Sequence, residues 1–139
     1  MRAPFTQLYV HLVWSTRDRD PWITAQVQPR LYAAILQKCK EMKCNPLALG
    51  GTDTHVHLLI HLHPTTAIAH LVKEVKGSSS HLVNHEILPG KEKYWQGAYG
   101  AFTIRKDEVE QITDYISNQE KHHQENTVIK EFEQDEVLA

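Results

Sequence analysis

Residues 55–63 (HVHLLIHLH) alternate more strictly than any other stretch of this chain, and that alternation dictates a β-strand. Val56, Leu58, Ile60 and Leu62 point one way; His55, His57, Leu59, His61 and His63 point the other. Pro64 stops the ladder. One face of the resulting sheet is apolar and needs helices over it. The other is lined with imidazoles. The neighbouring segments supply the rest of such a sheet. Thr6–Thr16 alternates through Leu8, Val10, Leu12 and Trp14, and Leu47–Leu49 reads as a short strand before a turn or bulge at Gly50-Gly51. The second half of 94–104 reads as a further strand.

Between these strands the apolar spacing changes to the helical period. Val27, Leu31, Ala34, Ile35 and Met42 define a helix over 25–43, with Pro29 tolerable in its first turn and Asn45-Pro46 as its stop. Ile68, Leu71, Val72, Val75, Leu82 and Val83 define a second. Asp107 with Glu110 resembles a capping box and predicts a third helix to about His123. The order β-α-β-β-α-β-α predicts an α+β fold, a ferredoxin-like antiparallel sheet with helices on one face plus a C-terminal helix.

Size and composition agree with one self-sufficient domain. The chain has 139 residues, 41% of them hydrophobic, enough to bury roughly two-thirds of its extended surface. No apolar run nears the ~20 residues of a membrane helix, so no membrane is expected. The two cysteines, Cys39 and Cys44, fit a reduced, cytoplasmic protein. Net charge is −2, but its distribution is uneven. Residues 1–106 carry 13 Lys/Arg against 7 Asp/Glu, and residues 107–139 carry 2 against 10. A basic body suits a phosphate partner, and an acidic tail over 126–139 follows the domain of 1–125.

Two constellations carry chemistry. His55 and His57 share a face with Cα atoms ~6.6 Å apart, close enough to converge on one metal ion. His61 and His63 repeat the pattern, but His61 lies ~20 Å along the strand from His55, so the pairs cannot share an ion. On the last helix Tyr115 and Gln119 are four residues apart and face the same way, a phenol with an amide oxygen one turn on. That oxygen suits a hard divalent cation.

With His55-Val-His57, Lys73-Glu-Val-Lys-Gly-Ser-Ser-Ser80, Trp95-Gln-Gly-Ala-Tyr-Gly-Ala-Phe102 and Tyr115-Ile-Ser-Asn-Gln119 in this order, the chain resembles the single-tyrosine HUH transposases of the insertion-sequence 200/605 group. The resemblance covers residues 5–125, and the opening His11-Leu-Val-Trp-Ser-Thr also fits. Two positions depart from the family pattern: Thr54 stands where Asp usually precedes the first histidine, and Ala98 where Gly is common.

The resemblance implies an enzyme that cleaves and rejoins single-stranded DNA at hairpin-marked element ends. It implies Tyr115 as the nucleophile of a 5′-phosphotyrosine intermediate, His55, His57 and Gln119 as ligands of Mg²⁺ or Mn²⁺, and a homodimer. Arg17, Arg19, Lys73, Lys76, Ser78 and Arg105 become candidates for DNA contact, with Trp95 and Tyr99, and also Trp14, available for stacking. Two other functions compete: a metal-dependent nuclease using metal-bound water, with Tyr115 structural, and a non-catalytic nucleic-acid-binding module. A domesticated relative that processes genomic palindromes would carry the same site.

Overall fold

The computed structural model describes residues 2–137. Four strands form one antiparallel sheet: β1 (Tyr9–Ser15), β2 (Asn45–Gly51), β3 (His55–His61) and β4 (Gly100–Ile104), in the order β2-β3-β1-β4. The histidine-rich strand is therefore central, paired along its whole length with β1, from Tyr9 opposite His61 to Ser15 opposite His55.

Helices α1 (Gln28–Glu41) and α2 (Ile68–Leu82) cover the apolar face, as the spacing predicts. Val56, Leu58 and Ile60 of β3 join Leu12 and Trp14 of β1, Leu31 and Ile35 of α1, and Leu71, Val72 and Val75 of α2 in the main core. Pro29 lies in the first turn of α1, where its missing N–H breaks no bond. Trp22 and Trp95 pack against each other at 4.8 Å between ring centroids, with Trp14 edge-on to Trp95 at 5.9 Å.

The second face of the sheet is half covered. Helix α3 (Val109–Ser117) lies across β2 and β3 and buries Ile112 and Ile116 on Leu59 and Ile104. Leu59, the one apolar residue among the histidines of this face, is what α3 rests on. Gly50 and Gly51 belong to β2 rather than to a turn, and the chain reverses over 52–54. The reason is close approach: a Cβ at Gly50 would lie 2.1 Å from the Ile116 carbonyl oxygen. Only glycine lets α3 sit this low on the sheet.

The last helical stretch departs from a single uninterrupted helix. A 3₁₀ turn at Lys106–Glu108 precedes α3, and the capping box uses Arg105 and Glu108 rather than Asp107 and Glu110. The helix breaks at Asn118 (φ −115°, ψ 30°) and resumes as α4 (Gln119–Glu125). After Asn126 in the left-handed region, the acidic tail turns back across the open half of the sheet. Phe132 packs beside Phe102 of β4 and His11 of β1, and the Gln134 carbonyl meets Gly100 where any Cβ would obstruct it.

Candidate active site

The uncovered half of the sheet, the α3–α4 junction and the returning tail enclose a cluster of polar side chains. His55 and His57 supply its floor from β3, with ring centroids 5.1 Å apart. Each ring is held from behind at its Nδ1. Thr52 Oγ1 lies 2.8 Å from Nδ1 of His55, and His11 Nε2 lies 2.8 Å from Nδ1 of His57. Both Nε2 atoms thus point into the cluster.

The helix break at Asn118 places the next donors. Gln119, buried as the first residue of α4, sets its amide oxygen 3.2 Å from His55 Nε2 and donates its amide N–H to the Tyr115 carbonyl at 3.3 Å. His123, one turn further, brings Nε2 to 3.2 Å from that same amide oxygen and 3.1 Å from His55 Nε2. Tyr115 stands edge-on to His57 with ring centroids 5.9 Å apart.

Glu133 of the tail ties these groups together. Its Oε1 lies 3.1 Å from His55 Nε2, 3.2 Å from His57 Nε2 and 3.2 Å from His123 Nε2. Its Oε2 accepts the hydroxyl hydrogen of Tyr115 at 2.5 Å, and that hydroxyl in turn accepts the Ile129 N–H at 2.9 Å. Asp135 anchors the same segment by accepting from the Ser15 hydroxyl and pairing with Arg19 at 3.8 Å.

The electrostatics follow from burial and these contacts. Burial, with the hydrogen bond to Glu133, pushes the Tyr115 phenol up to about 12, so its hydroxyl keeps its proton at neutral pH. Burial lowers His57 and, with repulsion from His57, takes His11 down to about 3. Burial alone would raise the Glu133 carboxyl, but the hydrogen bonds from His55 and His57 outweigh it and keep Glu133 ionised.

This donor set fits a divalent cation. Ligand atoms of His55, His57 and Glu133 all lie within 4.8 Å of one another, and Gln119 adds a hard oxygen. A cavity of about 420 Å³ borders the cluster, lined by Arg19, Thr54, His55, His123 and Glu133 among others.

Residues 4–119 match the family described as "Transposase IS200 like". The chain belongs to the IS200-like transposase family. It is a DNA transposase of the single-tyrosine class that acts on single-stranded DNA. The transposase is 28% identical over 118 residues to the ISDra2 transposase TnpA of Deinococcus radiodurans, covering 81% of this chain and 84% of that protein. A crystal structure of a putative transposase from the same organism superposes with a TM-score of 0.64 at 26% identity, covering 86% of this chain and 95% of that one. A REP-associated tyrosine transposase bound to a REP hairpin shares the fold, with a TM-score of 0.66 at 16% identity over 92% of this chain and 74% of that one.

The transposase brings together His55, His57, Tyr115 and Gln119, the four residues singled out from spacing and resemblance. The candidate DNA contacts are scattered. Arg17 stacks on exposed Tyr94 at 4.6 Å, Lys73 is exposed, and Arg105 pairs with Asp107 at 3.2 Å. Lys76 is half-buried and donates to the carbonyls of Gln96 (2.5 Å) and Ala98 (3.1 Å), while Ser78 returns its hydroxyl to the Val75 carbonyl. Trp14 and Trp95 are core residues, with the Trp95 indole donating to Ser79, so neither is an open stacking platform. Tyr99 is half-buried against the same core.

Four residues of the cluster escape a reading of motifs. His123 had a signal, since Tyr115, Gln119 and His123 recur at four-residue intervals on a helix. His11 stands in an opening segment that fits the family, but only strand pairing ties it to His57; Thr52 and Glu133 had no signal.

Proposed function

We propose that this transposase cuts single-stranded DNA by attack of the Tyr115 hydroxyl on a phosphodiester next to a hairpin. The Tyr115 Oη–P bond forms and the P–O3′ bond breaks, leaving a 5′-phosphotyrosine and a free 3′-OH. Attack by a 3′-OH reverses the step and joins strands without any external energy source, because the covalent link conserves the phosphodiester.

One observation carries this reading. A single carboxylate, that of Glu133, reaches the Tyr115 hydroxyl with one oxygen and three imidazoles with the other. A phosphate is the same kind of group, an oxyanion with oxygens a short distance apart. The site is thus dimensioned for an anion lying between the nucleophile and the histidines.

His55, His57 and Gln119 would hold the divalent cation, Mg²⁺ or Mn²⁺. When bound, it supplies the positive charge that offsets phosphate and phenolate during attack. The protein's own part is positioning. Gln119 and Tyr115 are locked together by the amide–carbonyl hydrogen bond, so the nucleophile and the helix-borne ligand move as one unit. Glu133 must withdraw before DNA enters. Hairpin recognition follows the REP-associated relative described as bound to a REP hairpin, with exposed Arg17, Arg19, Lys73 and Arg105 as backbone contacts and a homodimer as the working assembly.

The test is a single-stranded hairpin substrate labelled on the 3′ side of the cut. A denaturation-resistant protein–DNA adduct, absent in Tyr115→Phe, supports the tyrosine reading. Cleavage with no adduct, undiminished in Tyr115→Phe, would replace it with hydrolysis by metal-bound water.

A further inference from the structure

We propose that His11 is a positioning residue for the metal centre, the hydrogen-bond acceptor that fixes the ring of His57. This inference rests on the proposed reading of His55 and His57 as ligands and extends it to a residue behind them.

A histidine that ligates through Nε2 must carry its proton on Nδ1, and metal-binding histidines usually give that proton to a carboxylate, a backbone carbonyl or water. Here Thr52 and His11 occupy the two positions behind the rings, each 2.8 Å from an Nδ1. Within the described residues, no carboxylate hydrogen-bonds to either Nδ1.

His11 is fully buried on β1, and strand pairing puts it diagonally beside His57, opposite Leu59. Its ring lies 5.1 Å from that of His57, and Phe102 and Phe132 wall it in at 5.7 and 5.2 Å. Among the described residues, His11 Nδ1 has no hydrogen-bond partner. A buried polar atom left unpaired costs about 1–3 kcal/mol. Phenylalanine would fill this aromatic pocket without that cost, so packing alone does not account for an imidazole here. The Nε2 contact to His57 does. A neutral acceptor also leaves the cation's charge undiluted for the phosphate, which a carboxylate in the same place would partly cancel.

Two full-length variants separate the roles. His11→Phe keeps the volume and removes the acceptor, whereas His11→Gln offers an amide oxygen at nearly the reach of Nε2. Mn²⁺ affinity is measured by titration calorimetry without DNA, and melting temperature in parallel. His11→Phe should weaken Mn²⁺ roughly 10- to 100-fold with an equal or higher melting temperature, and His11→Gln should recover to within about threefold of wild type. Mn²⁺ affinity unchanged in His11→Phe overturns the proposal, as does equal loss in both variants. Should either variant melt early, ¹⁵N imidazole spectra of the Mg²⁺-saturated wild type decide instead: the proposal requires a proton on His57 Nδ1 and none on His11 Nε2. If His55→Ala and His57→Ala leave Mn²⁺ affinity unchanged, the metal reading itself fails, which is a different result from the failure of His11.

Discussion

His55/His57 and His61/His63 sit on or beside the same strand, at the same two-residue spacing, on the same face, yet only the first pair belongs to the candidate active site. The rings of His55 and His57 are buried and meet Gln119, His123, Tyr115 and Glu133. His61 is half-buried, stacks on Tyr9 at 5.1 Å and donates Nε2–H to the Thr6 carbonyl at 2.9 Å. His63, just past the strand, accepts from the Thr65 hydroxyl at 2.7 Å. The spacing is identical; the cover is not. Helix α3 crosses the sheet at the Gly50 end and carries Tyr115 to one pair alone. A His-x-His strand motif becomes a site only where another element brings complementary groups over it.

Tyr115→Phe removes the oxygen proposed as nucleophile and should lower strand cleavage by at least ~10³-fold, with hairpin binding within about twofold by fluorescence anisotropy. Persisting cleavage would make the covered end of the strand a hydrolytic site. Replacing His55 or His57 by Ala should lower metal-dependent cleavage by roughly 10²-fold or more, while His61→Ala and His63→Ala should stay within about threefold. Equal losses from both pairs, with unchanged circular dichroism, would abolish the distinction drawn above.

Removing residues 126–139 tests whether the tail or the helix sets the character of the covered end. That segment carries four acids against one lysine and supplies Glu133 to the cluster. Its deletion should tighten non-specific single-stranded DNA binding by about tenfold at low salt and steepen the salt dependence. Unchanged or weaker affinity would show that the tail and DNA do not compete. The smallest effect belongs to the support. Gly50→Ala forces α3 off the sheet and should cost about 1–3 kcal/mol in denaturant unfolding, with Mn²⁺ affinity falling through displaced Gln119. A variant as stable as wild type would mean that α3 tolerates a higher seat and is not fixed by Gly50.

Much of this was written locally. Alternation in HVHLLIHLH marked the strand and its two faces, and helical spacing marked α1 and α2, because both periods arise from backbone geometry that a short segment carries by itself. The shared face of Tyr115 and Gln119 was legible for the same reason, and so was that of His55 and His57. Gly50-Gly51 reads in sequence as a turn or bulge but extends β2, because a glycine signals freedom without saying whether a bend or a neighbour uses it.

Tertiary structure decided the rest. Trp95 looked free to stack on a base until the second core tryptophan, Trp22, and the Ser79 hydroxyl claimed it. His11 lies 46 residues from His57 and Glu133 lies 76 from it, distances across which no local pattern survives. Strand pairing brings the first within 2.8 Å, and the return of an acidic tail with little apolar surface brings the second within 3.2 Å. The local residues thus determined which groups this chain has for chemistry and which way each faces on its own element. Which of them meet is a property of the packed sheet, because contact between distant segments depends on the free energy of the whole arrangement and on no single segment within it.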